Sequence, residues 1–317
     1  MNKNVLLICA AILISQVCFA GGVREQELEE INVSYVKSPF NLPSIIMKER
    51  GMLENELRGK NIEVRYHEIV SGAKQAQAMA AGSLDIGGVM NTTSVLLARA
   101  SENDVRIIAG FSRPVKIFAI VVMDPDISSI ADLAGKRIAG PKGTVLHQLL
   151  AAALTSEGLS MDDVEFLEMG LSQASTAMIS GQIDAALLAG SLLIKAQESG
   201  AHVIVTADGY VIPKLVVAAR GPFVDAHPEI VDTYVQVHRN ALKWTMEHLE
   251  EALAIGAEEQ GITIENAARL YDWTEFITTL TEEDVLSMEE DILFMEENDM
   301  LREKIDPREC ICESAVN

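Results

Sequence analysis

Aromatic side chains are scarce in this chain, and acidic side chains far outnumber basic ones. Only 5 % of the residues are aromatic, whereas 49 % are hydrophobic, so a core must be built mainly from Ala, Leu, Ile, Val and Met. The formal net charge is −22 at pH 7. Nucleic acids and anionic membrane surfaces are bound by clustered basic faces, which this composition argues against. Such a charge favours a soluble monomer instead.

Long apolar runs are missing as well. After the first twenty residues, no stretch reaches the roughly 18 uninterrupted apolar residues that a membrane helix needs. Residues 1–20 have the features of a secretory signal peptide: Lys3, a short apolar run from Val5 to Ile14, and small residues at the −3 and −1 positions before Gly21. We therefore expect cleavage near Ala20 and a periplasmic protein. The alternative, a lipid anchor at Cys18, is disfavoured because Val17 stands where lipoprotein signals need a small residue.

Cysteine is rare too. Removal of the signal peptide leaves Cys310 and Cys312 near the C-terminus. A bond between two cysteines separated by one residue would be strained, and no further metal ligands accompany them. We predict neither a disulfide framework nor a metal site, and interpret the pair as part of a featureless tail.

What the chain does contain is a repeated unit of helix, glycine and strand. Residues 78–86 read AMAAGSLDI and are echoed 99 residues later by AMISGQIDA at 177–185. A glycine just past a helix can adopt the left-handed conformation that ends it. The offset exceeds the roughly 20–50 residues of solenoid repeats, so the pattern predicts two similar α/β lobes. The alternative is that helix–glycine–strand units are common and match by accident.

Strands and helices alternate over the first 220 residues, which is typical of parallel βαβ units. From Asp225 onward the pattern is helical. We expect one lobe in 29–116 plus 218–305 and the other in 117–217. Two strands, 117–123 and 211–219, are predicted to run side by side as the two hinge crossovers, with the C-terminal helices packed around the first lobe and the back of the hinge.

Polar residues of small size follow the predicted strands. In open α/β sheets, ligands bind beyond the carboxyl ends of strands, where loops enter helices. Helix N-termini in such loops bind anions through their free N–H groups and the helix dipole. Helix capping explains any one of these loops, but six of them at one edge predict a binding cleft. The loops contain Ser38, Ser71-Gly72, Asn91-Thr92-Thr93, Gly143-Thr144, Ser172-Gln173 and Gly190-Ser191.

Catalytic motifs are not found. Lys142 precedes Gly143, whereas a phosphate-binding P-loop places its lysine after the glycine. The six histidines have no metal-ligand spacing, and Ser172 lies in a sequence that misses the G-x-S-x-G nucleophile elbow. Asp85 and Asp184 precede strands at the edge away from the predicted cleft, and we interpret them as structural. The sequence therefore predicts a protein that is not an enzyme and holds no cofactor or metal.

Four segments carry a resemblance to a known family: residues 78–85, DLAGKRIA at 132–139, KGT at 142–144, and GQIDA at 181–185. They resemble the periplasmic solute-binding proteins of ATP-driven (ABC) importers for nitrate, sulfonates, taurine and bicarbonate, which are related to thiamine-pyrimidine-binding proteins. The resemblance implies an α/β, two-lobed periplasmic binding protein fold with two hinge crossovers and a helical C-terminal part. It also implies that hinge closure captures a small oxyanion, such as a sulfonate or nitrate, for a membrane permease.

Carried over by motif, the resemblance places ligand contacts on eight residues, with two more closing the far wall of the cleft. The contacts are Ser38, Ser71, Gly72, Asn91, Thr92, Gly143, Thr144 and Gln173, and the wall is Ala189 and Gly190. On this view Thr144→Ala removes a donor and weakens binding about tenfold.

The ligand itself stays open on the sequence alone. The small residues at the far wall predict a roomier pocket than in related proteins. A pyrimidine of the thiamine pathway or a similar heterocycle is an alternative, because only Lys37, Lys116 and Lys142 lie near the predicted loops; Phe40 and Phe118 would then be the stacking residues. An enzyme on the same two-lobed scaffold is another alternative.

Overall fold

The computed structural model describes residues 28–297, 300–301 and 303–316, so the expected signal peptide lies outside the described residues. The strands are β1 (Glu30–Tyr35), β2 (Glu63–Glu68), β3 (Ile86–Asn91), β4 (Val105–Arg113), β5 (Phe118–Val122), β6 (Arg137–Gly140), β7 (Glu165–Glu168), β8 (Ala185–Ala189), β9 (His202–Thr206), β10 (Leu215–Arg220) and β11 (Glu275–Phe276). The helices are α1 (Leu42–Glu49), α2 (Met52–Leu57), α3 (Gly72–Ala80), α4 (Thr92–Arg99), α5 (Val145–Ser156), α6 (Leu171–Ile179), α7 (Ser191–Glu198), α8 (Gly221–Ala226), α9 (Pro228–Glu247), α10 (Leu249–Gln260), α11 (Ile264–Asp272) and α12 (Glu282–Glu297).

Two sheets organise these elements. The first has the strand order β11-β4-β10-β3-β1-β2, and the second has the order β7-β6-β8-β5-β9. The chain passes to the second sheet between β4 and β5 and returns between β9 and β10, which gives the two crossings of a two-lobed fold. The first lobe is the first sheet with its helices, and the second lobe is the second sheet with its helices. We propose that the lobes divide within the crossing segments, 114–117 and 207–214, close to the limits expected from the sequence.

The position of the returning strand differs from the expectation. β10 pairs antiparallel with both β3 and β4 inside the first sheet, whereas β5 pairs with β8 and β9 in the second. The prediction that 211–219 and 117–123 run side by side is therefore wrong. Residues 215–219 are all buried, and such a continuously apolar strand is suited to the middle of a covered sheet. The short edge strand β11 was not predicted within the helical C-terminal part.

The repeated unit has the same backbone in both lobes. α3 ends at a turn in which Gly82 has φ +72°, and α6 ends at a turn in which Gly181 has φ +73°. In the first lobe the turn leads into β3, which pairs in parallel with β1. In the second lobe the turn leads into β8, which pairs in parallel with β6. The two-lobe interpretation of the repeat is thus confirmed.

Asp85 and Asp184 have equivalent structural roles. The Asn32 N–H donates to Asp85 Oδ2 at 3.0 Å, and the Arg137 N–H donates to Asp184 Oδ2 at 2.8 Å. Both carboxylates lie at the amino ends of their strands, where they fix the register of the neighbouring strand. Burial raises the pKa of Asp184, but hydrogen bonds from Arg137 outweigh it and hold that pKa below its usual value.

The C-terminal tail is packed rather than featureless. Cys310 is fully buried in a cluster around β4, and the Cys312 N–H donates to the Ile107 carbonyl oxygen at 2.9 Å. Burial raises the pKa of the Cys310 thiol to about 11. Both cysteines are free thiols.

No helix within the described ranges has the length and apolarity needed to cross a bilayer.

His238 on α9 makes folding sensitive to acid. Its ring is 2 % exposed, its Nε2 lies 3.0 Å from the Gly110 carbonyl oxygen, and burial lowers its pKa to about 4. An unfolded histidine titrates near 6.5, so only the unfolded chain takes up this proton between about pH 6.5 and 4. We expect the free energy of unfolding to fall by about 3 kcal/mol across this window because of this one group.

Urea titrations at pH 7, 5.5 and 4.5 would measure this loss. His238→Gln keeps an N–H donor but cannot take up the proton, so its stability should depend less steeply on pH. The exposed His248 provides the matched control His248→Gln. Equal pH slopes for the two variants would contradict the assignment.

Candidate ligand-binding cleft

The structure brings the predicted loops to the carboxyl ends of the strands in each sheet. In the first lobe, the loop 36–41 follows β1, 69–71 follows β2, and α4 begins directly after β3. In the second lobe, 141–144 follows β6, 169–170 follows β7, and residue 190 follows β8. These are the positions at which open α/β sheets bind ligands.

The first-lobe half of the cleft consists of two adjoining helix N-termini. Ser71 Oγ accepts the Lys74 N–H at 3.4 Å, and Asn91 Oδ1 accepts the Ser94 N–H at 2.7 Å. A Cβ atom added at Gly72 would lie 2.6 Å from Ser94 Oγ, so the two helix ends are in close contact. The side chains of Ser71 and Asn91 therefore serve as caps, each occupying one N–H of its own helix.

The second-lobe half has three helix N-termini whose cap residues make no side-chain capping bond to any described residue. These are the ends of α5, α6 and α7, with cap residues Thr144, Gly170 and Gly190. The first N–H groups of a helix have no partner within it, so uncapped ends offer donors to a ligand. Thr144 Oγ1 donates to the Pro141 carbonyl oxygen at 2.9 Å and shapes its own loop. The hydroxyl that Thr144→Ala would remove therefore has a partner within its own loop.

The two halves of the cleft come close together at two glycines of the second lobe. A Cβ atom at Gly190 would lie 2.4 Å from the Pro39 carbonyl oxygen, and one at Gly143 would lie 3.9 Å from Leu97 Cδ1 on α4. The Ser38-Pro39 peptide bond is cis. Pro39 thus occupies the space that a side chain at position 190 would fill at the far wall.

The remaining predicted residues are distributed as follows. Ala189 is buried at the end of β8, beside Gly190. Thr92, the first residue of α4, is also buried, and its hydroxyl lies 3.5 Å from Asp291 Oδ2. Gln173 is exposed in the first turn of α6, and its side chain has no hydrogen bond within the described part of the chain. The described contacts thus fall into two groups, one that pairs the Ser38-Pro39 loop with Gly190 and one that joins the loops of Gly72, Asn91 and Gly143 through α4, and neither includes Gln173.

Of four lysines near the cleft, Lys37 and Lys214 pair with carboxylates, whereas Lys116, in the first crossing, and Lys142 are exposed. Lys37 Nζ lies 3.4 Å from Glu259 Oε1, and Lys214 Nζ lies 3.1 Å from Asp291 Oδ2. Lys142 is exposed at the start of the α5 loop, and it has no ion pair with any residue that the structure describes. It is therefore the cation best placed to attract an anion to the uncapped end of α5.

His147, on α5, contacts the loop 141–144 that precedes this helix. Its Nδ1 accepts the Gly143 N–H at 3.4 Å, and its ring stacks on Phe166 with a centroid distance of 4.9 Å. Burial, together with the charge of Lys142, lowers the pKa of His147. The ring is therefore neutral near pH 7 and able to accept this hydrogen bond.

Sequence reasoning missed a buried polar cluster beside the cleft. Lys214, Asp291 and Gln148 are 2 %, 4 % and 7 % exposed, and Gln148 Nε2 donates to Asp291 Oδ1 at 2.7 Å. One signal in the sequence was available, because Lys214 is a single charge within the apolar run VIPKLVVAA. A lysine in such a run needs a buried partner.

Phe40 and Phe118, the candidates for stacking on a heterocycle, belong to the core. They are 1 % and 7 % exposed and lie in the same hydrophobic cluster. Phe40 packs against Gly256 of α10, where a Cβ atom would lie 3.2 Å from its ring. Among the described residues, no group of His, Cys, Asp and Glu side chains is arranged to hold a metal ion.

Comparison with known proteins finds relatives that match most of this chain. A Bacillus subtilis protein named for binding aliphatic sulfonates is 26 % identical over 292 residues, which is 90 % of this chain and 87 % of the relative. An Escherichia coli protein of the same name is 24 % identical over 270 residues, 82 % of this chain and 80 % of the relative. The solved alkanesulfonate-binding protein SsuA from Xanthomonas axonopodis pv. citri, bound to MOPS, has a TM-score of 0.82 at 19 % identity, covering 90 % of this chain and 99 % of that one.

At that identity, the likeness to the solved structure concerns the fold alone, which is that of the periplasmic binding proteins. The relatives are binding proteins and not enzymes, and so is this chain. The sequence profile of the family described as "NMT1/THI5 like" matches residues 57–252. Because this match spans more than half of the chain, the protein belongs to the NMT1/THI5 like family.

Proposed function

We propose that this protein is the periplasmic solute-binding component of an ABC importer and that it captures a small oxyanion, with an aliphatic sulfonate as the first candidate. One observation carries the proposal: the second lobe presents three helix N-termini without side-chain caps at the carboxyl edge of its sheet, and the loops of two of them face Pro39 and Leu97 of the first lobe. Such ends bind anions without a formal positive charge. The names of the relatives make a sulfonate the natural choice among oxyanions.

The energetics suit a ligand held by main-chain donors. A micromolar ligand needs about 8 kcal/mol, and a charge-assisted hydrogen bond contributes about 1.5–3 kcal/mol. Four or five donors from the two lobes are enough, even after the closing cost is subtracted. Binding favours closure because the donors of both lobes reach the ligand together only when the lobes approach.

A matched set of ligands tests the headgroup. Titration calorimetry would compare ethanesulfonate, taurine and nitrate with propionate, propylamine and a hydroxymethylpyrimidine. We expect micromolar binding of at least one sulfonate and much weaker binding of the carboxylate and the amine. Binding of the pyrimidine alone would overturn the oxyanion proposal in favour of a heterocycle, and turnover of any ligand would revive the enzyme alternative.

Lys142→Ala is expected to weaken sulfonate binding about three- to tenfold, with a larger effect at low salt. The exposed ammonium group attracts the anion to the end of α5 through solvent, so its contribution is modest and screened by ions. Calorimetry at 20 and 300 mM salt would measure the difference. Lys136 precedes β6 at the opposite end of the same strand, so Lys136→Ala removes the same charge away from the cleft. An equal loss in both variants would contradict a local role for Lys142.

A further inference from the structure

Helix α12 lies across both crossings between the lobes. Asp284 and Asp291 are seven residues apart on this helix and therefore share one face. Asp284 pairs with Arg113, the last residue of β4, directly before the first crossing. Asp291 pairs with Lys214, the last residue of the second crossing, directly before β10. Both aspartates are buried, so α12 is fixed to the first-lobe ends of the two crossings.

The same helix also contacts the second lobe. Gln148 on α5 donates its Nε2 to Asp291 Oδ1 at 2.7 Å. One turn further along α12, the ring of Phe294 meets the ring of His147 edge to face, with a centroid distance of 5.8 Å. Both contacts of α5 are next to the loop 141–144, which carries the second-lobe part of the candidate site.

Asp291 keeps its position even without Gln148. Lys214 Nζ, which holds the carboxylate, also donates to Ser287 Oγ at 2.8 Å and to the Ile212 carbonyl oxygen at 2.9 Å. Thr92 Oγ1 lies 3.5 Å from Asp291 Oδ2 on the first-lobe side. Loss of the Gln148 amide therefore leaves no buried charge unpaired, and it affects only the connection to the second lobe.

We propose that α12 is a brace that sets how far the second lobe opens, and that the Gln148–Asp291 hydrogen bond is the contact that breaks when the lobes separate. The proposal rests on the proposed function, since opening matters to a protein that captures a ligand between its lobes. Asp291 is a positioning residue: it holds the first residue of α4 and the second turn of α5, and so fixes two helix ends of the cleft relative to each other. When the second lobe swings away, Gln148 leaves with α5 while Asp291 stays with Lys214.

Small-angle scattering of the ligand-free protein tests this brace in two variants. Gln148→Met removes the donor at nearly constant volume, and we expect a larger radius of gyration than in the parent. Gln148→Glu at pH 8 brings a second carboxylate against Asp291, and we expect a further increase.

Gln236→Met is the matched control, because Gln236 is exposed on α9 and its side chain bonds, among the described residues, only to Asn240 of the same helix, at 3.0 Å. Circular dichroism and a melting curve would establish that each variant is folded. Unchanged radii in folded Gln148→Met and Gln148→Glu would overturn the brace.

A second measurement separates this proposal from the proposed function. If a sulfonate binds the parent protein, its dissociation constant should rise about three- to tenfold in Gln148→Met, because the apparent affinity falls with the fraction of closed protein. Failure of every sulfonate to bind would overturn the proposed function, while the ligand-free scattering series would still decide the brace. An increased radius with an unchanged dissociation constant would overturn the role of Asp291 in positioning the cleft.

Discussion

Gly190→Ala is expected to weaken ligand binding about 10- to 100-fold while both lobes remain folded. Gly190 has φ +60°, and an added Cβ atom would lie 2.4 Å from the Pro39 carbonyl oxygen of the facing lobe. Overpacking of this kind costs about 1–3 kcal/mol, and each 1.4 kcal/mol changes affinity tenfold. The clash arises where the lobes meet, so it acts against the closed arrangement. Calorimetry and ligand-free scattering would measure the affinity and the opening.

Gly181→Ala is the matched control for this prediction. Gly181 also has a positive φ, +73°, but a Cβ atom there would meet nothing within 4 Å. Both variants place an alanine at a positive φ, which costs about 1–3 kcal/mol, and Gly190, with ψ −133°, lies outside the left-handed helical region. Only Gly190→Ala adds the contact with Pro39. Equal affinities in the two variants would contradict the assignment of Gly190 and Pro39 to the closing surface.

Asp284→Asn is expected to lower the free energy of unfolding by about 3 kcal/mol. Asp284 is 2 % exposed and accepts hydrogen bonds from Arg113 Nε at 2.7 Å and from the Thr281 N–H at 2.7 Å. Removal of one partner of a buried ion pair leaves the other charge uncompensated, which costs about 3–5 kcal/mol. We take the lower end because Arg113 also contacts Glu275 at 2.9 Å. Urea unfolding at pH 7 would measure the loss.

The loss should disappear in acid. Burial raises the pKa of Asp284, but the hydrogen bonds from Arg113 and Thr281 outweigh it, so that the pKa lies below its usual value of 3.8. Stability from this carboxylate is complete above pH 3.8 and is lost as the pH falls through the lowered pKa of the folded state. Glu282→Gln is the control on the same helix, because it breaks an exposed pair with Arg308 and should change stability little. A similar loss in both variants would contradict the buried pair.

The local units of this fold could be predicted because their signals are short in sequence. The glycine that ends α3 or α6, the aspartate that follows it, and the strand that comes next lie within ten residues of each other. Their conformations depend on backbone preferences and on one neighbouring strand. The loops of the cleft were predictable for the same reason, since each follows a strand and begins a helix.

The partners of individual polar groups were not predictable in this way. Thr144 has the sequence context of a helix cap, yet its hydroxyl donates to Pro141 three residues earlier. The extent of β3 was not predictable either, because the adjacent glycines Gly87-Gly88 are typical of a turn that ends a strand. The strand instead begins at Ile86, and a Cβ atom at Gly88 would lie 2.6 Å from the Ser34 carbonyl oxygen. Glycine is needed there for close packing of β3 on β1, and nothing in the local pattern distinguishes this from a turn.

By itself, the sequence determined that the chain forms two similar α/β units with small polar loops at one edge of each, because both features follow from hydrophobic periodicity and turn residues. Only the tertiary structure decided how the halves of the cleft are held together. Gln148 and Asp291 are 143 residues apart, and Arg113 and Asp284 are 171 residues apart. The physical reason is that a buried charge requires a partner but does not specify which one, and that choice is made by the packing of α12 across the two crossings.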